Sequence, residues 1–445
     1  MAPKQVHLAA HFPGVNSTTI WNRPESGSQI DFSSFAHLAR TAERGRFDFF
    51  FLAEGLRLRE HRGQIFDLDV VGRPDSLTVL SALAAVTERI GLAATLNTTF
   101  NEPYELARQL ASLDHLSGGR AAWNAVTSPD AFTGENFRRG GFLDPALRYE
   151  RAQELIEAVQ AVWDSWADDA VAADRAGGRF VRPGTVGRFV HRGDQFAIEG
   201  RSTVPRSPQR HPVQIQAGDS DAGRELAARH AEVIFSRHAS YDAGQRFYAD
   251  VKGRLARYGR RPEDLKIIPA AVAVLGDSAA DAQERAHQNH LDQVSPQGAI
   301  AFLEQVWGTD LSAHDPDGPL PPFDPDPEGT ERITRGRVRH EKDPAAVAQR
   351  WRQRAEEKQL SIRELVIEVS ARETFVGTAQ QVAEQIDRHV QEDAADGFIL
   401  VPPLTPHGLD EFVATVVPEL QDRGVFRTEY EHETLRENLG LPPVA

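Results

Sequence analysis

Eight short apolar segments are spaced along this chain so that few architectures remain open to it. They are Val6–Ala10, Phe47–Ala53, Ile90–Leu96, Ala121–Val126, Val213–Ala217, Val233–Ser236, Ile267–Leu275 and Phe398–Val401. Several are continuous apolar runs, the pattern of strands buried on both faces. Most are followed by apolar residues at helical spacing, as in Leu147, Leu155, Ile156, Val159, Val162, Trp163 and Trp166. Strand and helix alternating eight times predict an α/β fold, a TIM-like (β/α)8 barrel with insertion segments. A doubly wound open sheet is the alternative.

At 445 residues the chain is long for one domain, yet a barrel carrying insertions accommodates residues 1–445. Three insertions are expected, at about 55–73, 167–211 and 291–342. The second is expected to hold a hairpin around Arg188–Ile198. The third has six prolines and four aspartates between Ser312 and Pro327, which predicts irregular structure.

Composition removes several function classes. A net charge of −15 argues against a nucleic-acid or anionic-membrane surface. No apolar run approaches the ~20 residues of a membrane span, and the start MAPKQVHLAA lacks a signal-peptide core. A cytoplasmic protein is expected. Cysteine is absent and Met1 is the one methionine, so disulfides, thiolate nucleophiles and cysteine metal sites are excluded. His287 and His290 have i, i+3 spacing without a ligand set around them, which favours surface histidines over a metal site. No metal is expected.

Candidate chemistry lies at strand ends, where α/β proteins place it. Ala93–Ser128 reads as strand, polar tip, helix, glycine stop, strand, polar tip. Thr95 and Asn97 alternate on one strand and so share a face, while Asn124 stands on the next. Such hydroxyl and amide groups suit a polar heteroaromatic ring, or else they cap loops. Pro103 suits a helix start, and Gly118-Gly119 a stop. Glu54 directly follows an apolar strand and is placed as a ligand acceptor or the partner of an arginine. Asp219, Ser220 and Asp221 open a helix after Gly218. That helix start is an anion site or a plain cap, and the two aspartates count against the anion. Tyr149, in a first helical turn, can offer its hydroxyl to a phosphate. Phe49, Phe51 and Trp123 are candidate apolar shields, of which only alternate residues can face a site.

LDHLSGGRAAWNAVTS is similar to the signature of the bacterial luciferase-like flavin monooxygenases. The branch it resembles contains nitrilotriacetate monooxygenase component A and dibenzothiophene-sulfone monooxygenase. FDFFFLAEG, RYERAQELIEAVQAVWDSW, QAGDSDAGRELAARHAEVIF and the tail VVPELQDRGVFRTEYEHETLRENLGLP extend the resemblance over nearly the whole chain. It implies reduced FMN, supplied by a separate NAD(P)H-dependent flavin reductase. With O2, and through a C4a-hydroperoxyflavin, one oxygen atom would pass to a small organic substrate. By position it implies flavin contacts at Glu54, Thr95, Asn97 and Asn124, and phosphate contacts at Tyr149 and Ser220. It also implies a homodimer or homotetramer. Pro145 stands where the family often has a histidine, and His11, near the first strand end, is the remaining candidate catalytic histidine. A non-catalytic flavin-binding barrel and a deazaflavin-dependent oxidoreductase are the alternatives. The tail and insertion matches favour the FMN branch over the deazaflavin one.

Overall fold

The structure is a computed structural model that describes residues 3–14, 18–128, 131–137, 147–238, 240–329, 333–336, 343–370 and 374–444. Pro145 lies outside the described residues.

Eight parallel strands form a closed ring. They are β1 (His7–His11), β2 (Phe49–Leu52), β3 (Gly91–Asn97), β4 (Ala121–Val126), β5 (Val213–Ala217), β6 (Val233–Phe235), β7 and β8 (Gly397–Leu400), with β7 running as Lys266–Ile267 and then Ala270–Leu275. The interruption in β7 includes Pro269, which has no N–H for a ladder. Its two halves face opposite neighbours. Ile267 pairs with Ile234 of β6, and Ala270 pairs with Ile399 of β8. Hydrogen bonds from Ile268 N to Ile234 O (3.0 Å) and from Ile399 N to Pro269 O (2.9 Å) carry the ring across the break. The β1–β8 register His7↔Gly397 completes it. The open-sheet alternative is thereby excluded, and the eight expected strands are the eight of the barrel.

Alternation along each strand sorts the core into two layers. Ala9, Phe49, Phe51, Ala93, Ala122, Ile215, Val233, Ile268 and Ile399 fill the lumen, and Leu435, Leu439 and Leu441 of the C-terminal tail pack onto the same cluster. Leu8, Phe50, Leu92, Trp123, Ala271 and Phe398 face the surrounding helices. Trp123 is therefore no shield for a lumen site. Its neighbours Ala122 and Asn124 take the opposite face, and its indole N–H donates outward to Leu96 O at 2.9 Å.

The surrounding helices include α1 (Phe32–Arg44), α2 (Ser76–Ala84), α3 (Pro103–Ser117), α4 (Arg148–Trp163), α5 (Asp221–His230) and α6 (Tyr241–Arg254). Helix α3 begins with Pro103 and ends where Gly118 and Gly119 take φ of +67° and +88°, a conformation open to glycine. Between β7 and β8 the chain adds α7 (Ala279–Gln293), α8 (Pro296–Trp307), α9 (Pro344–Lys358), α10 (Ile362–Ser370) and α11 (Ala379–Gln391); α12 (Asp410–Asp422) follows β8. A strand at Thr374–Gly377 extends the sheet beside the upper half of β7.

The segments between barrel elements carry structure of their own. Within 55–73, Glu60–His61 and Gln64–Ile65 form a hairpin. Thr334–Arg335 pairs onto the same hairpin. Glu304 of α8, buried, accepts from His61 Nε2 (2.6 Å), from Leu311 N (2.7 Å) and from Arg62, and so joins two distant segments. The expected hairpin near 188–198 is present as Phe189–Arg192 paired with Ala197–Gly200. The described residues between Ser312 and Pro327 form neither helix nor strand.

Candidate functional site

The C-terminal ends of β2, β3 and β4 bring four of the expected residues together. Thr95 and Asn97 share the lumen face of β3, and the register sets Thr95 beside Asn124 of β4. All three are buried, at 4, 0 and 2% exposure, so each polar atom there needs a partner. Asn124 Nδ2 donates to Thr95 Oγ1 at 3.0 Å. Its Oδ1 is buried and has no hydrogen-bond partner among the described residues. An open acceptor therefore stands beside a hydroxyl whose proton is still free to donate. That combination fits the donor–acceptor edge of a heteroaromatic ring such as a flavin.

Asn97 has a different job from its neighbours. Its Oδ1 accepts from Thr99 N (3.1 Å) and Phe100 N (2.8 Å), closing the turn after β3. Its Nδ2 donates to Glu54 Oε2 at 3.1 Å, and its backbone N–H reaches the same oxygen at 3.2 Å. Asn97 thus positions Glu54 across neighbouring strands. Burial pushes the Glu54 carboxyl up from its ordinary range to about 7, and the two Asn97 hydrogen bonds only partly oppose this. Both of those bonds end on Oε2, which leaves Oε1 for a ligand. Thr98, Thr99 and Ser128 serve the backbone instead: Thr98 Oγ1 donates to Val126 O (3.1 Å), and Ser128 N donates to Thr99 Oγ1 (3.0 Å).

A second cluster forms where α4 and α5 begin. Tyr149 Oη and Ser220 Oγ meet at 2.8 Å across 71 residues of chain. Ser220 is the N-cap of α5 and accepts from Gly223 N at 3.2 Å. It therefore aligns its hydroxyl with the free N–H groups of a helix start, where anions are favoured. The two aspartates that counted against an anion are balanced by cations. Asp221 pairs with Arg254 at 2.7 Å, and Asp219 interacts electrostatically with Arg237.

Two arginines join these clusters. Arg148 lies over the Tyr149 ring at 4.8 Å and adds a cation beside the two hydroxyls. Arg151, fully buried, donates to Thr98 O (3.2 Å) and Thr99 O (3.1 Å), pinning the β3 tip to α4. An arginine within the apolar stripe of α4 was the available signal, because a buried guanidinium must be hydrogen-bonded.

His11 ends β1 on the lumen face, buried, with its ring centroid 5.4 Å from that of Phe51. Phe51 in turn stacks on Phe235 of β6 at 5.5 Å. His287 is exposed, and His290 is half-buried on α7, where it lines a cleft open to solvent. Among the described residues, His37, His407 and Asp410 form one cluster of metal-ligand type. It lies between α1 and α12, outside the barrel, and Asp410 is already engaged by Thr41 Oγ1 (2.8 Å) and by both imidazoles. No described helix is long and apolar enough to cross a membrane.

The chain matches the family model of the luciferase-like monooxygenases over residues 14–397. It is 39% identical over 448 residues to N-acetyl-S-(2-succino)cysteine monooxygenase of Bacillus subtilis (strain 168), covering 98% of this chain and 97% of that one. It is 40% identical over 435 residues to nitrilotriacetate monooxygenase component A of Aminobacter aminovorans, covering 95% and 93% of the two chains. Among solved structures, riboflavin lyase with modified FMN and substrate riboflavin superposes with a TM-score of 0.78. That pair is 28% identical over 99% of this chain and 97% of the other.

Proposed function

This chain belongs to the luciferase-like monooxygenase family, and from that premise we propose how its barrel mouth works. It is a flavin-dependent monooxygenase that uses reduced flavin and O2 to oxygenate a small organic substrate. We take the flavin to be FMN, reduced by a separate NAD(P)H-dependent flavin reductase, as expected for a component A relative. The observation that carries the FMN reading is the Tyr149–Ser220 hydroxyl pair at the start of α5, with Arg148 beside it. A phosphate accepts hydrogen bonds from both hydroxyls and from the helix N–H groups, and the guanidinium offsets its charge. Riboflavin lacks that anchor. The same reading expects a cytoplasmic homodimer or homotetramer.

When bound, reduced FMN supplies two electrons for splitting O2, one oxygen atom going to the substrate and the other to water. The chain's own residues do the rest. Thr95 donates to the ring edge and Asn124 Oδ1 accepts from it. Glu54, held by Asn97, offers its Oε1 from β2, as a neutral acid below about pH 7 and a carboxylate above it. Phe51 and Phe235, stacked on each other, would help exclude water from the site. His11 faces the same space from β1 and is the imidazole placed to move a proton there.

The test is a turnover assay with NADH, FMN, a flavin reductase and 18O2, with catalase present and product mass read by mass spectrometry. Incorporation of a single labelled oxygen atom that requires the protein is expected. Full reductase activity with no labelled product from neutral sulfide, ketone, alkane or polycarboxylate substrates would sink the reading.

A further inference from the structure

We propose that His37, His407 and Asp410 form a zinc-binding site that clips the helix after β1 to the helix after β8. The site stands outside the barrel, so the inference is independent of the flavin reading.

The three residues come from the two ends of the chain. His37 lies on α1, His407 in the single turn His407–Leu409, and Asp410 opens α12. His37 and Asp410 are 373 positions apart. Local spacing cannot show such a set, which is why the sequence led to an expectation of no metal. Closure of the ring brings the residues together, because β1 and β8 pair along His7↔Gly397 and α1 packs on α12.

The two oxygens of Asp410 have different jobs. Thr41 Oγ1, one turn beyond His37 on α1, donates to Oδ1 at 2.8 Å and fixes the carboxylate. Oδ2 faces both imidazoles, at 2.9 Å from His37 Nε2 and 3.0 Å from His407 Nδ1. A hydrogen bond onto a ligating carboxylate from a neighbouring side chain is what orients metal ligands. The two rings meet edge to face with centroids 4.3 Å apart. All three ligand atoms lie within 4.8 Å of one another. Zinc binds imidazole nitrogen and carboxylate oxygen at about 2.0–2.2 Å, which sets two ligands of one tetrahedral ion about 3.3 Å apart. Each nitrogen–oxygen pair, at 2.9 and 3.0 Å, opens by about 0.4 Å to reach that spacing. The two nitrogens, within 4.8 Å, close by about 1.5 Å at most.

The surroundings admit an ion. Side-chain exposures of 34% for His37, 36% for Asp410 and 52% for His407 let a hydrated cation in and leave room for a water at the fourth position. Arg44 stays with the other oxygen, 3.9 Å from Asp410 Oδ1, and donates to Thr41 Oγ1 at 2.8 Å. Two imidazoles and one carboxylate suit zinc, whereas magnesium and calcium take oxygen ligands. An ion held there binds the folded chain and not the unfolded one, in which its ligands are far apart. It therefore stabilises the closed barrel by linkage.

Calorimetric titration of zinc chloride into the untagged full chain at neutral pH tests this. One zinc ion per chain at micromolar affinity is expected, with a rise of several degrees in the thermal midpoint. His37→Gln and His407→Gln should each weaken binding by about tenfold or more and abolish that rise. Thr41→Val keeps all three ligands and should still weaken binding about tenfold. Cobalt(II) in place of zinc should give the visible d–d absorption of a four-coordinate ion, and Asp410→Asn should lose it. The proposal is overturned if the native chain binds zinc no tighter than millimolar, if folded His37→Gln and His407→Gln variants bind as the native chain does, or if bound zinc leaves the thermal midpoint unchanged. Any of these results would make the cluster a hydrogen-bonded staple between the two helices and nothing more.

Discussion

Glu54→Gln is the sharpest perturbation available, because the cost it removes is large and depends on pH. In the unfolded chain the Glu54 carboxyl ionises near its ordinary 4.5, and in the folded chain it ionises near 7. Below pH 4.5 it is protonated in both states and contributes no difference. Between 4.5 and 7 the unfolded chain releases the proton while the folded chain keeps it, so stability falls as pH rises. Above 7 the folded state ionises too and the full cost is in place, about 3 kcal/mol from the distance between the two values. Glutamine has nothing to ionise, and its side-chain oxygen still accepts from Asn97. The variant should therefore gain about 3 kcal/mol relative to the native chain between pH 4.5 and 8, with most of the change below 7. Urea denaturation followed by tryptophan fluorescence at four pH values measures that difference directly. A native-minus-variant difference that stays flat across the window would refute the reasoning, since the two chains then titrate alike. The same substitution should flatten the pH dependence of FMN affinity.

Tyr149→Phe and Ser220→Ala each remove a hydroxyl from the phosphate site. Each should weaken FMN about 10- to 100-fold while leaving riboflavin unchanged, as read by flavin fluorescence quenching. Arg151→Met strips hydrogen bonds from the carbonyls of Thr98 and Thr99. It should cost about 3 kcal/mol in urea denaturation and loosen FMN binding without touching the ligand. Asn124→Ala deletes an acceptor that no group among the described residues satisfies. Apo stability should fall by only about 1 kcal/mol, whereas FMN affinity drops about tenfold by calorimetry. Leu439→Ala opens a cavity among the lumen and tail residues, where Leu439 is fully buried. It should cost about 2–5 kcal/mol in thermal or chemical unfolding with kcat nearly unchanged.

Much of this site was legible in one dimension because its signals are local. Strand tips follow the ends of apolar runs, so Glu54, Thr95, Asn97, Asn124 and His11 could be placed before any contact was known. Ser220 was one of three candidate caps. The structure selects it because its hydroxyl receives Gly223 N. Side-chain alternation also separates neighbouring residues. Asn124 facing inward forces Trp123 outward, which sets it among the outer core residues and away from Phe49 and Phe51.

Three facts could come only from the folded chain. Whether the strands close depends on the two halves of β7 facing different neighbours across Pro269, which no segment encodes by itself. Asn97 proved to be the residue that holds Glu54 because its amide reaches a carboxylate 43 positions away. The cleft lined by Thr18, Val272, His290, Ile367 and Pro403 draws on five separate stretches of sequence. Apolar periodicity and turn chemistry act over a few residues, so the chain by itself determined its eight strands, their helices and their polar ends. Which ends meet, and what space lies between them, is decided by long-range pairing and packing of segments that have no local preference for one another.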